Sequence, residues 1–523
     1  MNLSPNWLAA PIVLPLLVAA VSLTFARWGD RQSARLQQFL TLLTVILNLG
    51  LAIWLLHHTV VLEERLVLQM GGWAAPFGIT VMADGLSAIL LTLTAILAVA
   101  VTLYAMGTLD GRSRMNFYPL LLFLLMGVNG AFLAGDLFNL YVFFEVLLMA
   151  SFVLLTLGGQ PAQISGGIRY VVLNLMASVI FLSAAGIAYG TLGTLNLAHL
   201  AARMEQAPPS IQALLAGMLL IAYSTKAGLF PLFFWLPSSY HTPHPAVTAF
   251  FGGLLTKVGI YTLYRIFSLV FPSYLVEWQP LILTIAGLTM LTGVFGAMAV
   301  NTIRRVLSFH VISQVGYMVM GLGLAGSADP VAAGFGLAAG ILYLVHHMIV
   351  KTALLMAGGA AEMEMGSGNL LSNQLRGLSV RRPLLAIIFF FAAFSLAGIP
   401  PSSGFISKLG LLQSALSSQH WLIAGVSLVV SVFTLMSMVR LWQSAFAGEA
   451  IAAPAPTAPL TEPGRRWLTL LPIGALVLLS LAIGLFSAPV FQWSTVAAQQ
   501  ALDRAGYIAA VQPTDEIFML EKK

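Results

Sequence analysis

Long apolar runs recur along the chain from Pro11 almost to Val490, and they constrain the fold more than any other feature. Most are long enough to supply the ~20 residues with which a helix crosses the ~30 Å hydrocarbon core of a bilayer. Of the 523 residues, 59% are hydrophobic and 8% are charged, whereas a soluble domain carries about 25% charged residues. We therefore expect an all-α integral membrane protein without a separate soluble domain.

Matching the apolar runs to the intervening turn signals gives fourteen predicted transmembrane spans. In chain order these spans cover residues 6–26, 36–56, 84–106, 115–134, 137–157, 166–190, 210–238, 244–270, 277–300, 306–325, 330–358, 384–415, 421–446 and 467–490. They form four segments. Residues 1–106 hold helices 1 to 3, residues 107–271 hold helices 4 to 8, and residues 272–447 hold helices 9 to 13. Residues 448–523 comprise a Pro/Ala-rich linker, Gly448–Pro463, then helix 14 and a short tail.

The seventh and twelfth spans contain predicted helix breaks. Gly228 and Pro231 follow Lys226 in the seventh span, and Pro400 and Pro401 precede Lys408 in the twelfth. Proline frees a backbone carbonyl, which is tolerated at membrane depth only where protein or water satisfies it. Breaks at corresponding places in two halves of a transporter point to a transport path. We therefore predict discontinuous helices 7 and 12 within two inverted five-helix repeats, helices 4–8 and 9–13; simple proline kinks are the alternative.

Arginines mark one side of the predicted bundle. Cytoplasmic loops accumulate Lys and Arg, and alternate loops here hold fourteen arginines, against six positive residues in the opposite set. Both termini should therefore lie on the extracytoplasmic side. The first set comprises Arg27, Arg31, Arg35, Arg112, Arg114, Arg169, Arg304, Arg305, Arg376, Arg381, Arg382, Arg440, Arg465 and Arg466, and the second comprises Arg65, Arg203, Arg265, Arg504, Lys522 and Lys523.

The other four lysines, Lys226, Lys257, Lys351 and Lys408, all fall inside predicted spans. A lysine at the centre of a membrane helix costs roughly 2.5–3.5 kcal/mol on insertion scales, so each needs a reason. The alternative is that each side chain snorkels to the interface along its alkyl stem, which suits Lys408 better than the others. Taken together, the lysines indicate a polar path through the membrane.

One acidic residue, Glu145, lies near the middle of a predicted span, whereas Asp84 and Asp136 stand at helix beginnings, where caps favour carboxylates. A buried carboxylate either stays protonated or pairs with a cation, and Lys226 or Lys257 is the obvious candidate. Separating such a pair changes the proton affinity of both groups. A Glu–Lys pair can therefore act as a proton switch.

Histidines extend this set. His347 and Lys351 are four residues apart and share a helix face, with His346 turned by roughly 100°. Because an adjacent ammonium disfavours imidazolium, the two form a candidate proton relay. His310 either extends the path or has a packing role. Two neighbouring histidines can also bind metal, but no Asp, Glu or Cys stands at ligand spacing here. The absence of cysteine excludes disulfides, thiolate catalysis, iron–sulfur clusters and zinc–thiolate sites, and we expect no cofactor and no metal.

The loop between the seventh and eighth spans carries His241, Pro243, His244 and Pro245. It either gates the cytoplasmic side or forms a tight turn.

At these residues the chain resembles the antiporter-like subunit family shared by respiratory complex I, membrane-bound hydrogenases and the Mrp sodium/proton antiporters. The resemblance covers almost everything from Pro11 to Val490. The motifs that carry it are Asn129–Glu145, Lys226–Pro231 with Trp235–Pro237, His244–Thr248, Arg304–Ser308 with Ser313–Tyr317, and His347–Lys351.

The resemblance implies that Glu145 on the fifth helix pairs with Lys226 on the broken seventh helix. Lys257 then passes protons along a central hydrated axis towards His347, Lys351 and Lys408. Within the family the chain is most similar to the D subunits of Mrp antiporters, because the complex I M subunit has a glutamate where Lys408 stands.

Such a resemblance also implies a secondary transporter subunit, not an enzyme, in a bacterial plasma membrane. Its partners would be Mrp-type A, B, C, E, F and G subunits, lipid, protons and sodium or potassium ions, with no nucleic acid. Since hard cations prefer oxygen ligands and intramembrane carboxylates are few, the sodium path is expected mainly in the partners. The alternatives are a proton-pumping subunit of a redox-driven complex and a non-transporting scaffold.

Overall fold

The computed structural model describes residues 5–26, 31–109, 111–371, 377–448 and 466–511. Within this part of the chain, thirteen helices are long and apolar enough to cross a membrane. The predicted fold class, a helical protein with many membrane spans, is confirmed. Arg27, Arg376, Arg465, Lys522, Lys523 and almost all of the Gly448–Pro463 linker lie outside the described residues.

The helices follow one another with short connections. They are α1 (Ala10–Ala26), α2 (Arg31–Leu56), α3 (Gly85–Thr108), α4 (Gly111–Leu133), α5 (Leu137–Thr156), α6 (Pro161–Leu192), α7 (Leu197–Met204), α8 (Pro209–Ala227), α9 (Trp235–Ser239), α10 (Pro245–Leu269), α11 (Pro272–Glu277), α12 (Gln279–Ala299), α13 (Ile303–Leu324), α14 (Pro330–Met365), α15 (Leu378–Arg381), α16 (Pro383–Ala397), α17 (Ser403–Ser417), α18 (Trp421–Ala445), α19 (Arg466–Leu485), α20 (Ser487–Leu502) and α21 (Arg504–Val511).

Both predicted interruptions are present. The seventh predicted span is α8, a non-helical segment and the short α9, whereas the twelfth is the pair α16 and α17. Neither α16 nor α17 is long enough to cross a bilayer alone, since a spanning helix needs about 20 residues. Together they form the twelfth predicted span, which is not among the thirteen long helices.

Two short strands depart from the all-α prediction. β1 (Leu66–Gln69) and β2 (Thr80–Ala83) lie between α2 and α3 and pair antiparallel, with Leu66 opposite Ala83. The strands are only four residues long, too short for an alternating pattern to distinguish them from the neighbouring apolar runs. Directly after β2, Asp84 caps α3, since its side chain accepts the Ser87 N–H and its own N–H donates to the Ser87 hydroxyl.

The centre of the bundle consists of α10, α13 and α14. Their most apolar windows are 100%, 94% and 89% buried inside the chain, whereas those of α1, α2 and α19 are 33%, 33% and 28% buried. Outer helices therefore expose apolar side chains to lipid or to partners, while the three central helices are shielded. These three carry Lys257, His310, His346, His347 and Lys351.

One arginine that was assigned to a loop from the sequence lies inside a helix. The loop count includes Arg265, but this residue lies within α10 and is 3% exposed. Its guanidinium forms a two-pronged ion pair with Asp84, at 2.6 Å and 2.7 Å. The Arg265 guanidinium holds the pKa of the Asp84 carboxyl below its usual range, against the effect of burial.

As far as residue 511, the predicted short tail contains the helices α20 and α21. Gln500 on α20 accepts the Gly85 N–H at 2.7 Å and donates to the Thr59 carbonyl at 2.8 Å. The residues after the last span therefore join α20 to the beginning of α3.

One local structure occurs twice. Gly130 on α4 packs against the ring of Phe143 on α5, and Gly296 on α12 packs against the ring of Phe309 on α13, at the same spacing along the chain. An added Cβ at either glycine would lie 2.3 Å from the ring. Isolated bridges also recur just before the second helix of each pair, Asp136 to Asn196 before α5 and Thr302 to Asn369 before α13.

Candidate functional site

Both helix breaks use the same cap. Gly228 ends α8 with φ +75° and Gly398 ends α16 with φ +90°, a left-handed conformation that glycine adopts without strain. In each cap the next N–H reaches back along the helix, from Leu229 to the Ser224 carbonyl at 3.0 Å and from Ile399 to the Phe394 carbonyl at 3.1 Å. Such caps satisfy carbonyls that the missing next turn would leave unpaired.

Protein groups satisfy other carbonyls at the two breaks. The Trp235 indole N–H donates to the Thr225 carbonyl at 3.0 Å, and the Lys408 ammonium donates to the Ala397 carbonyl at 3.0 Å. Broken backbone within a membrane needs such partners. The lysines stand on opposite sides of the two breaks, since Lys226 precedes Gly228 whereas Lys408 follows Gly398 and reaches back to it.

Glu145 and Lys226 are joined through a hydroxyl from a third helix. The Lys226 ammonium donates to Ser178 Oγ at 2.9 Å, and the Ser178 hydroxyl donates to Glu145 Oε1 in a short hydrogen bond. Lys226 is 5% exposed and its ammonium lies 4.8 Å from the centre of the Phe144 ring, whereas Glu145 is half-buried. Glu145, Ser178 and Lys226 therefore form a bridged unit across α5, α6 and α8.

Lys257 lies on α10, the helix that packs against the end of α8. Its side chain is fully buried, and the ammonium donates to the Gly252 carbonyl of its own helix at 2.5 Å. Half a turn further on, Gly259 packs closely against the end of α8, because an added Cβ there would lie 2.7 Å from the Ala227 backbone nitrogen. Only glycine permits the break in α8 to pack this tightly against the helix that carries Lys257.

The histidines and Lys351 lie at the centre of the bundle on α14. His346 Nδ1 contacts Ser403 Oγ at 2.8 Å, and Ser403 in turn contacts Ser480 at 2.8 Å, so this ring is held by α17 and α19. His347 and Lys351 are fully buried, and among the described residues neither ring nitrogen of His347 nor the Lys351 ammonium has a hydrogen-bond partner. His347 lies within electrostatic range of both Lys257 and Lys351.

Lys408 lies on α17 and His310 on α13, two helices that pack against α14. The Lys408 ammonium is 5.0 Å from the centre of the Tyr317 ring, and Lys408 is partly buried, which argues against full snorkelling to the interface. His310 Nε2 contacts Ser437 Oγ on α18 at 2.9 Å. Electrostatic interactions connect Lys257 with His347 and Lys351, and His310 with Lys351 and Lys408.

The loop of His241 and His244 borders a cavity of about 290 Å³ at the end of the bundle that holds Arg304. His244 Nδ1 accepts the Ala246 N–H at 3.2 Å and so caps α10. Burial, and then the nearby charge of Arg304, lowers the pKa of His244 to about 4. His241 has its pKa lowered to about 4 by burial and by Arg305 and Arg304. The loop therefore turns the chain between α9 and α10 and borders this cavity.

Sequence reasoning missed the connecting hydroxyls. Ser178, Ser403 and Ser480 link charged or imidazole groups on different helices, yet nothing in the sequence distinguishes them from other serines in apolar runs. Within the described residues, no cluster of three or more His, Asp or Glu side chains is placed to hold a metal ion.

The chain matches the family model described as NADH:quinone oxidoreductase/Mrp antiporter, transmembrane region, over residues 134–434. It belongs to this family. The chain is 40% identical over 511 residues to the D subunit of the Na⁺/H⁺ antiporter of Alkalihalophilus pseudofirmus, and the match covers 97% of this chain and 99% of that one. It is 36% identical over 509 residues to the protein of the same name in Bacillus subtilis, with 97% and 99% coverage.

Among solved structures, this family member is similar to a chain of the Mrp complex from Dietzia sp. DQ12-45-1b. The TM-score is 0.87 at 33% identity, and the match covers 98% of this chain and 100% of that one. The predicted resemblance to D subunits is confirmed by these matches.

Proposed function

We propose that this chain is a proton-translocating subunit of a multisubunit monovalent cation/proton antiporter. Its relatives are named as D subunits of Na⁺/H⁺ antiporters, and its structural neighbour belongs to an Mrp complex. The observation that carries the proposal is the bridged unit of Glu145, Ser178 and Lys226, together with the fully buried Lys257 on the helix that packs against the end of α8. Ionisable groups inside a membrane protein are costly and commonly belong to ion or proton pathways.

The proposed path starts at the bridged unit and ends near the break between α16 and α17. Protons pass from Glu145 and Lys226 to Lys257, and then to His347 and Lys351 on α14. Lys408 completes the path, with His346 and His310 as further relay groups. The partnerless nitrogens of His347 and Lys351 support this path, since buried polar groups need a hydrogen-bond partner or water. No bond is made or broken, so the chain acts as a transporter subunit and not as an enzyme.

The recurring local structures support two inverted repeats over the fourth to eighth and ninth to thirteenth spans. Matching Phe143 to Phe309 places Glu145 at the position of Val311. Likewise, matching Gly228 to Gly398 places Lys226 at Leu396. In this proposal the first repeat keeps the Glu–Lys unit, while the second supplies Lys408 from beyond its break.

Glu145→Gln tests the assignment. We expect it to abolish sodium-driven proton movement in membrane vesicles without preventing assembly, because an amide cannot take up the proton. Glu277→Gln is the matched control, since Glu277 is exposed at the end of α11. Normal pH-dependent exchange by Glu145→Gln would refute the assignment, and unchanged flux in both Glu145→Ala and Lys226→Ala would favour a scaffold.

The proposed setting is a bacterial plasma membrane with both termini on the extracytoplasmic side. Because the chain has no cysteine, single introduced cysteines can report sidedness. Arg305→Cys should react with an impermeant maleimide only in inside-out vesicles, and Glu63→Cys only in right-side-out vesicles; both residues are exposed. Labelling with the reverse sidedness would invert the proposed topology.

The proposed partners are the other Mrp-type subunits, A, B, C, E, F and G, with sodium or potassium as the exchanged cation carried mainly by them. A tagged chain purified from its native membrane tests this assembly. Small Mrp-type subunits should co-purify, whereas flavin or iron–sulfur subunits would place the chain in a redox-driven complex.

A further inference from the structure

We propose that the bundle binds the head group of an anionic phospholipid at its arginine-rich end. A cavity of about 230 Å³ opens there between the ends of α3, α14, α16 and α19. Arg381, Arg382, Arg466 and Glu364 are its charged lining residues. None of them belongs to the proposed proton path, so the lipid site stands apart from the proposed function.

The electrostatics favour an anion. Three guanidinium groups and one carboxylate line the cavity, which leaves it positively charged. Arg382 contacts Glu364 Oε2 through one terminal nitrogen at 3.0 Å. Its Nε is buried without a hydrogen-bond partner, and so is the hydroxyl of Thr469, which also lines the cavity. A phosphate oxygen is an acceptor that suits both donors, and guanidinium groups bind phosphate in a two-pronged geometry.

The apolar part of the lining selects a lipid over free phosphate. Met363, Leu385 and Leu470 line the cavity together with the arginines. Leu384, which also lines the cavity, is 55% exposed at the beginning of α16, and Trp467, the residue after the lining Arg466, is 57% exposed at the beginning of α19. Acyl chains can lie along these surfaces while the phosphate lies among the arginines. Tryptophan at headgroup level is typical of membrane proteins.

The position in the bundle also fits a lipid head group. The cavity lies at helix ends on the side that holds Arg304 and Arg440, the side with most arginines. Basic pockets between transmembrane helices on the cytoplasmic side bind anionic head groups. Arg382 directly precedes α16, Arg466 begins α19 and Glu364 lies in the last turn of α14, so a bound lipid would hold these three helix ends together.

Native mass spectrometry of the full chain in its complex tests the proposal. After reconstitution in a mixture of phosphatidylglycerol, cardiolipin and phosphatidylcholine, we expect the anionic lipids to be retained. Arg382→Gln/Arg466→Gln should lower their retention at least fivefold, whereas Arg35→Gln/Arg305→Gln removes two exposed arginines from the same side and should retain them. Glu364→Gln removes the one competing carboxylate and should retain at least as much lipid as the unchanged chain.

Photo-crosslinking of the unchanged chain makes the test independent of variant folding. A phosphatidylglycerol with a photoreactive acyl chain should label peptides that contain Leu384 or Trp467. Competition separates the sources of the anion: unlabelled phosphatidylglycerol should block the labelling, and inorganic phosphate should not. Labelling elsewhere only, equal protection by inorganic phosphate, or equal lipid loss in the two double variants would overturn the proposal.

Discussion

Removing the Ser178 hydroxyl should disconnect Lys226 from Glu145. In the structure this hydroxyl accepts from the Lys226 ammonium at 2.9 Å and donates to the Glu145 carboxylate. Hydrogen bonds to charged groups contribute roughly 1.5–3 kcal/mol each. If Ser178→Ala removes the free energy of one such bond from the step in which Lys226 and Glu145 exchange a proton, transport should slow about 10- to 150-fold. A difference of about 1.4 kcal/mol corresponds to a factor of ten in rate.

Everted membrane vesicles carrying the complex provide the assay. A pH-sensitive dye reports proton movement after sodium is added, and the complex is quantified in the same membranes. Ser178→Thr keeps a hydroxyl on α6 and should retain most of the rate, whereas Ser178→Ala should lose it at equal complex content. A rate within twofold of the unchanged chain for Ser178→Ala would refute the bridging role. Equal loss in both variants would indicate a packing defect of α6 instead.

Three further predictions concern stability, measured by thermal unfolding of the purified complex in detergent. Burial lowers the pKa of His244 from 6.5 to about 4, so between these pH values the unfolded chain binds more protons than the folded chain. The stability that the neutral imidazole allows is fully present above pH 6.5, and up to about 3 kcal/mol of it is lost as the pH falls towards 4. His244→Asn keeps an N-cap acceptor and should weaken that acid sensitivity; an unchanged pH profile would contradict the assignment. Asp84→Asn leaves the Arg265 guanidinium charged and buried, and should lower the free energy of unfolding by about 3–5 kcal/mol. Asp503→Asn breaks the more exposed pair with Arg65 and should lower it by less than ~1 kcal/mol. Equal losses would argue against a buried ion pair. Gly259→Ala should cost ~1–3 kcal/mol through its clash with the end of α8, while Gly334→Ala, which meets open space, should not destabilise; an unchanged melting temperature for Gly259→Ala would show that α8 can move away.

The membrane spans were predictable because hydropathy is a local property. A bilayer requires about 20 apolar residues in succession, and each such run can be read without knowing its neighbours. The same reasoning isolated Lys226, Lys257 and Glu145, since a charged residue in an apolar run stands out by its cost alone. Glycine and proline located both breaks, because their effect on the backbone is also local.

Features that depend on contacts between distant segments could not be predicted from local sequence patterns. Arg265 looked like a loop residue because its position near the end of an apolar run is the same whether it meets water or Asp84 from a distant helix. The short strands β1 and β2 carry too few residues for a period to appear. Neither feature can be found without the partner segment.

The amino-acid sequence by itself determined which segments enter the membrane, where two of them break and which ionisable groups they carry. Only the tertiary structure decided that Ser178 stands between Glu145 and Lys226, that Lys408 reaches back across its break, and that arginines from three helix ends share one cavity. The physical reason is range: burial cost depends on the composition of one segment, whereas hydrogen bonds form between atoms brought within about 3 Å by packing of helices far apart in the chain.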